Sequence, residues 1–321
     1  MLLVNIDRGR MEKNIERVLK ERGQLSMTKF SGAWPALLTP FTASNQVNAP
    51  VLRKLVDYLI GKQIGGFYVC GSTGEGIYMS VAERKLVLET VIEQVNGRVP
   101  VIAHVGCVAA GDAADLAQHA QQAGADGVAS IIPPLFNSTA GIHHYYAGLA
   151  KAAPNLPLLT YIFGGPSDAV GLMRALRDIP TLAGGKYTGP NMFEFRRIID
   201  LGEEQWTVFS GMDEQCVFAA MFGASGSIGS SLNYHPGAYR EMAHSVQTGD
   251  FARGIALQRQ ANQTTAIMME VGFMSALKAV MQRLDFDCGQ PRLPNLALPA
   301  ESRPRLYAQL DAVGFMELVA L

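Results

Sequence analysis

The sequence is poor in the features that mark several large protein classes. Its 321 residues include 4 cysteines and 6 histidines. Cys70, Cys107, Cys216 and Cys288 lie far apart, with no CxxC pair and no Cys/His ligand spacing. Thiols scattered in this way read as reduced residues of a cytoplasmic protein, not as a disulfide framework or a zinc site. Among the histidines only His143 and His144 are neighbours, and neither HxH nor HExxH occurs. A metal-dependent mechanism therefore has no ligand set to start from. The formal net charge of −1 leaves neither the basic footprint of a nucleic-acid binder nor the charge of a membrane-surface protein. No run approaches the ~20 apolar residues that cross a bilayer. The opening MLLVNIDRGR is too short and too polar for a secretory core.

What is present suits a large globular core, with 48% hydrophobic and 17% charged residues. Residues 1–30 stand apart: MEKNIERVLKERGQ is highly charged, predicts a helix, and reads as an N-terminal extension. From Trp34 onward, short apolar runs alternate with longer stretches of helical period. The runs predict strands at Ala36–Thr39, Gly66–Cys70, Val99–Val105, Gly127–Ile132, Pro157–Ile162, Leu182–Tyr187, Thr207–Ser210 and Gly226–Gly229. Helices are expected near 50–62, 81–96, 111–123, 139–152, 168–177, 191–203, 213–222 and 236–248. Ser80, with Glu83 three residues on, has the pattern of a capping box. Eight such units in a row predict an α/β fold, a (β/α)8 TIM barrel over residues 31–249. An open doubly wound sheet is the alternative. Residues 250–321 hold two more periodic stretches, near 251–270 and 272–284, a proline-rich tail and a last helix. They read as a C-terminal helical appendage.

In closed barrels of this kind the functional side chains stand at the C-terminal ends of the strands. Lys186 ends an apolar strand beside glycines that let another group approach. Desolvation penalises an ammonium, and a neutral amine attacks a ketone to form an imine. A lysine that reaches solvent or pairs with a carboxylate is the competing reading. The strand-two loop, Gly71–Gly76, offers closely spaced N–H groups and the hydroxyls of Ser72 and Thr73. It fits a carboxylate or phosphate, or is a plain turn; no lysine follows the glycines, so it is not a P-loop. Tyr161, ending strand five, can shuttle a proton or simply be a half-buried tyrosine. Asp213 and Glu214, after strand seven, either complement a helix N-terminus or accept substrate hydroxyls.

Taken together these segments resemble a known family. GSTGE on strand two, the strand-five tyrosine, GKYTG on strand six and GSIGSSLN on strand eight are similar to the dihydrodipicolinate synthase / N-acetylneuraminate lyase family, from about Gly32 to beyond Arg292. HVG at His104–Gly106, LAQHAQQAGADGVA at Leu116–Ala129, GMDEQ at Gly211–Gln215 and PRLP at Pro291–Pro294 resemble its N-acetylneuraminate lyase branch. The resemblance implies a TIM barrel that cleaves a 2-keto acid sugar to pyruvate and an aldehyde through a lysine Schiff base. It implies Lys186 as the imine lysine and Tyr161 as the proton-relay tyrosine, with the relay completed either by Ser72 and a water or by the substrate's own carboxylate. Thr73, Thr188, Gly211, Asp213, Glu214 and Ser230 are implied substrate contacts. It also implies a homotetramer and calls for no metal or organic cofactor. The sequence departs from the family at Tyr161-Ile162-Phe163-Gly164-Gly165-Pro166, where Tyr-Asn-x-Pro is usual. In Pro133–Asn137 it lacks the tyrosine that many members pass to a neighbouring subunit's relay. Dihydrodipicolinate synthases usually carry an arginine after the strand-five tyrosine, and Ile162–Asp168 has none. Alternatives within the family are a 2-keto-3-deoxy sugar acid aldolase and a dihydrodipicolinate synthase. Outside it stand a barrel that binds a keto acid without turnover and a phosphate-binding barrel, against which the acidic pair weighs.

Overall fold

The computed structural model describes residues 30–133, 138–164 and 168–321. The N-terminal extension expected over 1–30 lies, but for Phe30, outside the described residues, as do most of the Pro133–Asn137 stretch and Gly165-Pro166. Eight parallel strands follow one another: β1 (Gly32–Pro35), β2 (Phe67–Val69), β3 (Val101–His104), β4 (Gly127–Ile131), β5 (Leu158–Phe163), β6 (Leu182–Thr188), β7 (Thr207–Ser210) and β8 (Gly226–Gly229). Each pairs with its sequence neighbour from β2 to β8, and β8 pairs with β1. A bridge between Ala36 and Tyr68 closes the ring. Closure removes the exposed sheet edges and gives the TIM barrel that the alternation predicts.

Helices alternate with the strands: α1 (Ala49–Gly61), α2 (Val81–Val95), α3 (Ala110–Ala123), α4 (Thr139–Ala152), α5 (Ala169–Ala175), α6 (Met192–Leu201), α7 (Cys216–Met221) and α8 (Pro236–Thr248). The Ser80–Glu83 capping box forms as the sequence suggests, with both reciprocal bonds present. Four more helices follow: α9 (Phe251–Glu270), α10 (Phe273–Arg283), α11 (Arg303–Ala312) and α12 (Phe315–Ala320). The last two replace the single terminal helix expected. Gly314, at φ +72°, makes the break between them, a backbone setting that disfavours residues with a Cβ.

The first strand lies earlier than the sequence pattern places it. It runs over Gly32–Pro35, before the expected Ala36–Thr39, and ends on Pro35, which donates no hydrogen bond. Part of the predicted run Ala36–Thr39 continues the ladder irregularly, Ala36 N–H donating to Gly229 and Leu37 N–H to Tyr68, both at 2.9 Å. The helix expected over 213–222 is a 3-10 turn at Asp213–Gln215 followed by α7.

The lower half of the barrel is an apolar plug. Trp34, fully buried, meets Phe30 and Phe209 edge-on at 5.6 and 5.4 Å, with Ala36, Ile102 and Ile228 filling in. Gly65 and Gly66 let the indole lie flat against the backbone, since a Cβ on Gly66 would stand 2.4 Å from its ring. Among the described residues no single helix is long and apolar enough to cross a membrane.

Candidate active site

Above the plug the barrel lining turns polar. β5 and β6 start in ordinary register, with Leu158 opposite Leu182. One residue later Leu159 stands opposite Gly184, so Ala183 is a bulge. Gly184 takes φ +127°, and a Cβ there would come within 2.0 Å of the Thr207 carbonyl. The bulge shifts β6 by one residue and so exchanges its two faces. Lys186 is thereby set opposite Tyr161, and Thr188 opposite Phe163. Without that extra residue Lys186 would fall opposite Ile162 and face the helices.

Lys186 is 6% exposed. Its Nζ lies 4.4 Å from the centre of the Tyr161 ring and 5.2 Å from that of Tyr68. Gly211 leaves it room: a Cβ there would sit 2.6 Å from Lys186 Cε and 1.8 Å from Thr188 Oγ1. Tyr161 is buried against Tyr68 and His104, with ring centres 6.3 and 6.1 Å away. Thr73 is buried and shares a 2.6 Å hydrogen bond with Ser230, which joins the β2 and β8 loops across the mouth. Asp213 is buried and accepts the Ser231 N–H at 2.8 Å. Burial pushes its carboxyl up to about 6, while the Lys186 charge acts in the opposite direction. Glu214 is half-buried next to it, and its carbonyl accepts from Asn262 of α9 at 3.1 Å. The structure thus gathers Lys186, Tyr161, Thr73, Thr188, Gly211, Asp213, Glu214 and Ser230 around one mouth. Ser72 is the outlier, since its side chain is exposed on the loop and bonds to neither Tyr161 nor Lys186.

Two lining residues escaped the sequence reading. Tyr68 lies under Lys186, fully buried, and its hydroxyl has no partner among the described residues. His104 accepts the Ile131 N–H on Nε2 at 3.0 Å and faces the Cys70 carbonyl with Nδ1 at 3.2 Å. That pair of contacts assigns the proton to Nδ1. Burial, with the nearby charges of Arg84 and Lys186, holds this imidazole well below its ordinary range. The signal for both was strand alternation, since Tyr68 and His104 share the inward phase of Trp34 and Lys186. Among the described residues, Tyr68 Oη, Thr188 Oγ1 and Asp213 Oδ1 at the mouth are buried without a hydrogen-bond partner. Buried polar groups are nearly always satisfied, so these three atoms stand out at the mouth. Among the described residues no group of three or more His, Cys, Asp or Glu converges as a metal site.

A closed (β/α)8 barrel with a buried lysine and a tyrosine at its C-terminal mouth defines a class of enzyme scaffold. The comparison with known proteins narrows it. Residues 29–313 match the model of the dihydrodipicolinate synthetase family, and the chain belongs to that family. It is 32% identical over 300 residues to N-acetylneuraminate lyase of Mus musculus, covering 90% of this chain and 94% of the relative. It is 31% identical to that of Salmonella paratyphi B, covering 79% and 86%. The structure of the Proteus mirabilis N-acetylneuraminate lyase superposes with a TM-score of 0.85 at 30% identity, over 89% of this chain and 99% of that one. A Ruminococcus gnavus sialic acid aldolase described as a catalytic lysine mutant gives 0.86 at 26% identity, over 90% and 97%.

Proposed function

We propose that this chain is a Schiff-base aldolase that cleaves N-acetylneuraminate to pyruvate and N-acetylmannosamine. The observation that carries the reading is the buried Lys186 amine set against Tyr161 by the β6 bulge. The named activities of the relatives at about 30% identity support it. Lys186 attacks the C2 ketone and water leaves as the imine forms. The substrate carboxylate rests on the Ser72–Thr73 amides and hydroxyls. Tyr161 accepts the C4 hydroxyl proton as its own phenolic proton passes to the substrate carboxylate, the C3–C4 bond breaks, and the imine holds the electron pair as an enamine. The aldehyde leaves, the enamine is protonated at C3, and water returns to release pyruvate and the free amine. Asp213, Glu214, Thr188 and Ser230 meet the sugar hydroxyls, and Gly211 leaves space for them. No metal or organic cofactor is called for by these steps.

A second reading within the family is favoured by one feature. Phe163 is 60% exposed at the mouth, in the inward phase of Tyr161 and opposite Thr188. An aromatic wall there suits a different sugar tail, so a 2-keto-3-deoxy sugar acid is the alternative substrate. The test is pyruvate release from both substrates through a coupled lactate dehydrogenase. Release from N-acetylneuraminate with the larger kcat/KM is expected. Release from the deoxy sugar acid alone would transfer the assignment to the second reading. We also read the enzyme as a cytoplasmic homotetramer; its free cysteines are compatible with a reducing compartment, and sedimentation tests the assembly.

A further inference from the structure

The Gly71–Gly76 loop is held from a distant part of the chain. Cys70, just before it, and Glu75, within it, both take left-handed backbone angles, φ 60° and 56°. Non-glycine residues keep such angles only where their surroundings impose them. The loop is also tightly folded, since a Cβ on Gly76 would stand 2.0 Å from the Cys70 carbonyl. Glu75 is fully buried. Its carboxylate meets Lys278 Nζ of α10 at 3.1 Å and accepts the Arg292 backbone N–H at 2.6 Å. The same ammonium donates to the Thr39 carbonyl at 2.6 Å and to Cys288 at 3.2 Å. Thr39 in turn donates its hydroxyl to the Gly74 carbonyl at 2.7 Å. The Arg292 guanidinium covers the Phe41 ring at 4.2 Å and donates to Asn45, to the Tyr78 carbonyl and to Glu83.

A buried ion pair is a poor stabiliser, because desolvation offsets most of its attraction, and apolar residues of similar volume would serve the core as well. What fixed donors and acceptors add is direction. Glu75 and Gly74 lie on the loop that carries Ser72 and Thr73, and Thr39, Phe41 and Asn45 belong to the segment that follows strand one, while the contacts to Cys288, Tyr78 and Glu83 tie the same cations to the flanking chain. None ends on the imine lysine. We propose that Glu75, Lys278 and Arg292 are positioning residues by which the C-terminal helices aim the Ser72–Thr73 segment at the substrate carboxylate. The network then sets the preference for keto acids over plain ketones. This inference rests on the Schiff-base reading above.

The test compares borohydride trapping of pyruvate with trapping of acetone, which has the ketone and no carboxylate, on the full-length protein. The variants are Lys278→Met and the double variant Glu75→Gln with Lys278→Met, which leaves no buried charge unpaired and protects the test against loss of fold. The expected result is a pyruvate-to-acetone trapping ratio about 10- to 100-fold below wild type, the scale of a slightly misplaced binding group. Acetone trapping itself stays at the wild-type rate. A folded double variant with the wild-type ratio, even if slower with both ketones, would overturn the inference, because the network would then be structural only. A wild-type protein that traps neither ketone would remove the Schiff-base reading and this inference with it, an outcome visible before any variant is made.

Discussion

The two halves of the barrel interior are built from the same strands by opposite rules. The lower half is filled by Trp34, Phe209 and their apolar neighbours, cut to fit by Gly65 and Gly66. The indole N–H of Trp34 donates to the Ser31 carbonyl at 2.8 Å. The upper half carries Lys186, Tyr161, Tyr68, His104 and Asp213, and among the described residues three of its buried polar atoms have no hydrogen-bond partner. Each such atom costs about 1–3 kcal/mol. The plug supplies stability and the mouth spends part of it on readiness for substrate. Damage below should therefore unfold the protein without changing its chemistry, and damage above should do the reverse.

The largest effect expected is on chemistry. Lys186→Ala should lower turnover by about 10^5-fold or more, the scale of losing a covalent nucleophile, with the melting temperature kept or raised. Turnover close to wild type would remove the imine. Tyr161→Phe should slow turnover by about 10^2- to 10^4-fold, as for a positioned proton carrier, and an unchanged kcat would take it out of the relay. Trp34→Ala probes the other half. It should lower unfolding free energy by about 3–5 kcal/mol while the folded fraction keeps its kcat. A collapse of kcat in still-folded protein would mean that the two halves are not separable.

Asp213 sharpens the comparison through pH. Its carboxyl is raised to about 6 from an ordinary value of 3.8, mainly by burial. The folded chain therefore binds this proton more tightly than the unfolded chain does. The stabilisation is full below the unfolded value and is lost as pH rises through about 6, by at most about 3 kcal/mol. Urea titrations between these pH values should show that loss in wild type and its absence in Asp213→Asn. Superimposable curves would place the carboxyl in ordinary solvation. The smallest effect is at Tyr68. Tyr68→Phe deletes an unpaired hydroxyl, and stability should rise by about 1 kcal/mol. A fall would reveal a partner for that oxygen.

The order of the strands was readable from sequence, because buried parallel strands are short apolar runs closed by glycine or proline. β8 matches the predicted Gly226–Gly229. The first strand was expected at Ala36–Thr39 and lies at Gly32–Pro35, because its bounds are set by its pairing with the distant β8, which no local pattern shows. Lys186 and Tyr161 could be singled out by type and position. That they meet depends on the bulge at Ala183–Gly184, and a one-residue register shift leaves no periodic trace in a strand of seven residues. The Glu75–Lys278–Arg292 cluster was invisible for a different reason. Its partners are as much as 217 residues apart, and each alone resembles an ordinary surface charge. Tyr68 and His104 were readable in principle, since alternation puts both on the inward face.

The central claim is that Lys186, brought inward by the bulge, is the group that attacks the keto acid. Borohydride reduction in the presence of pyruvate, followed by peptide mass spectrometry, tests it directly. The account predicts a reduced pyruvyl adduct on the peptide that contains Lys186 and on no other lysine. Folded protein without an adduct, or an adduct confined to a different lysine, would contradict it.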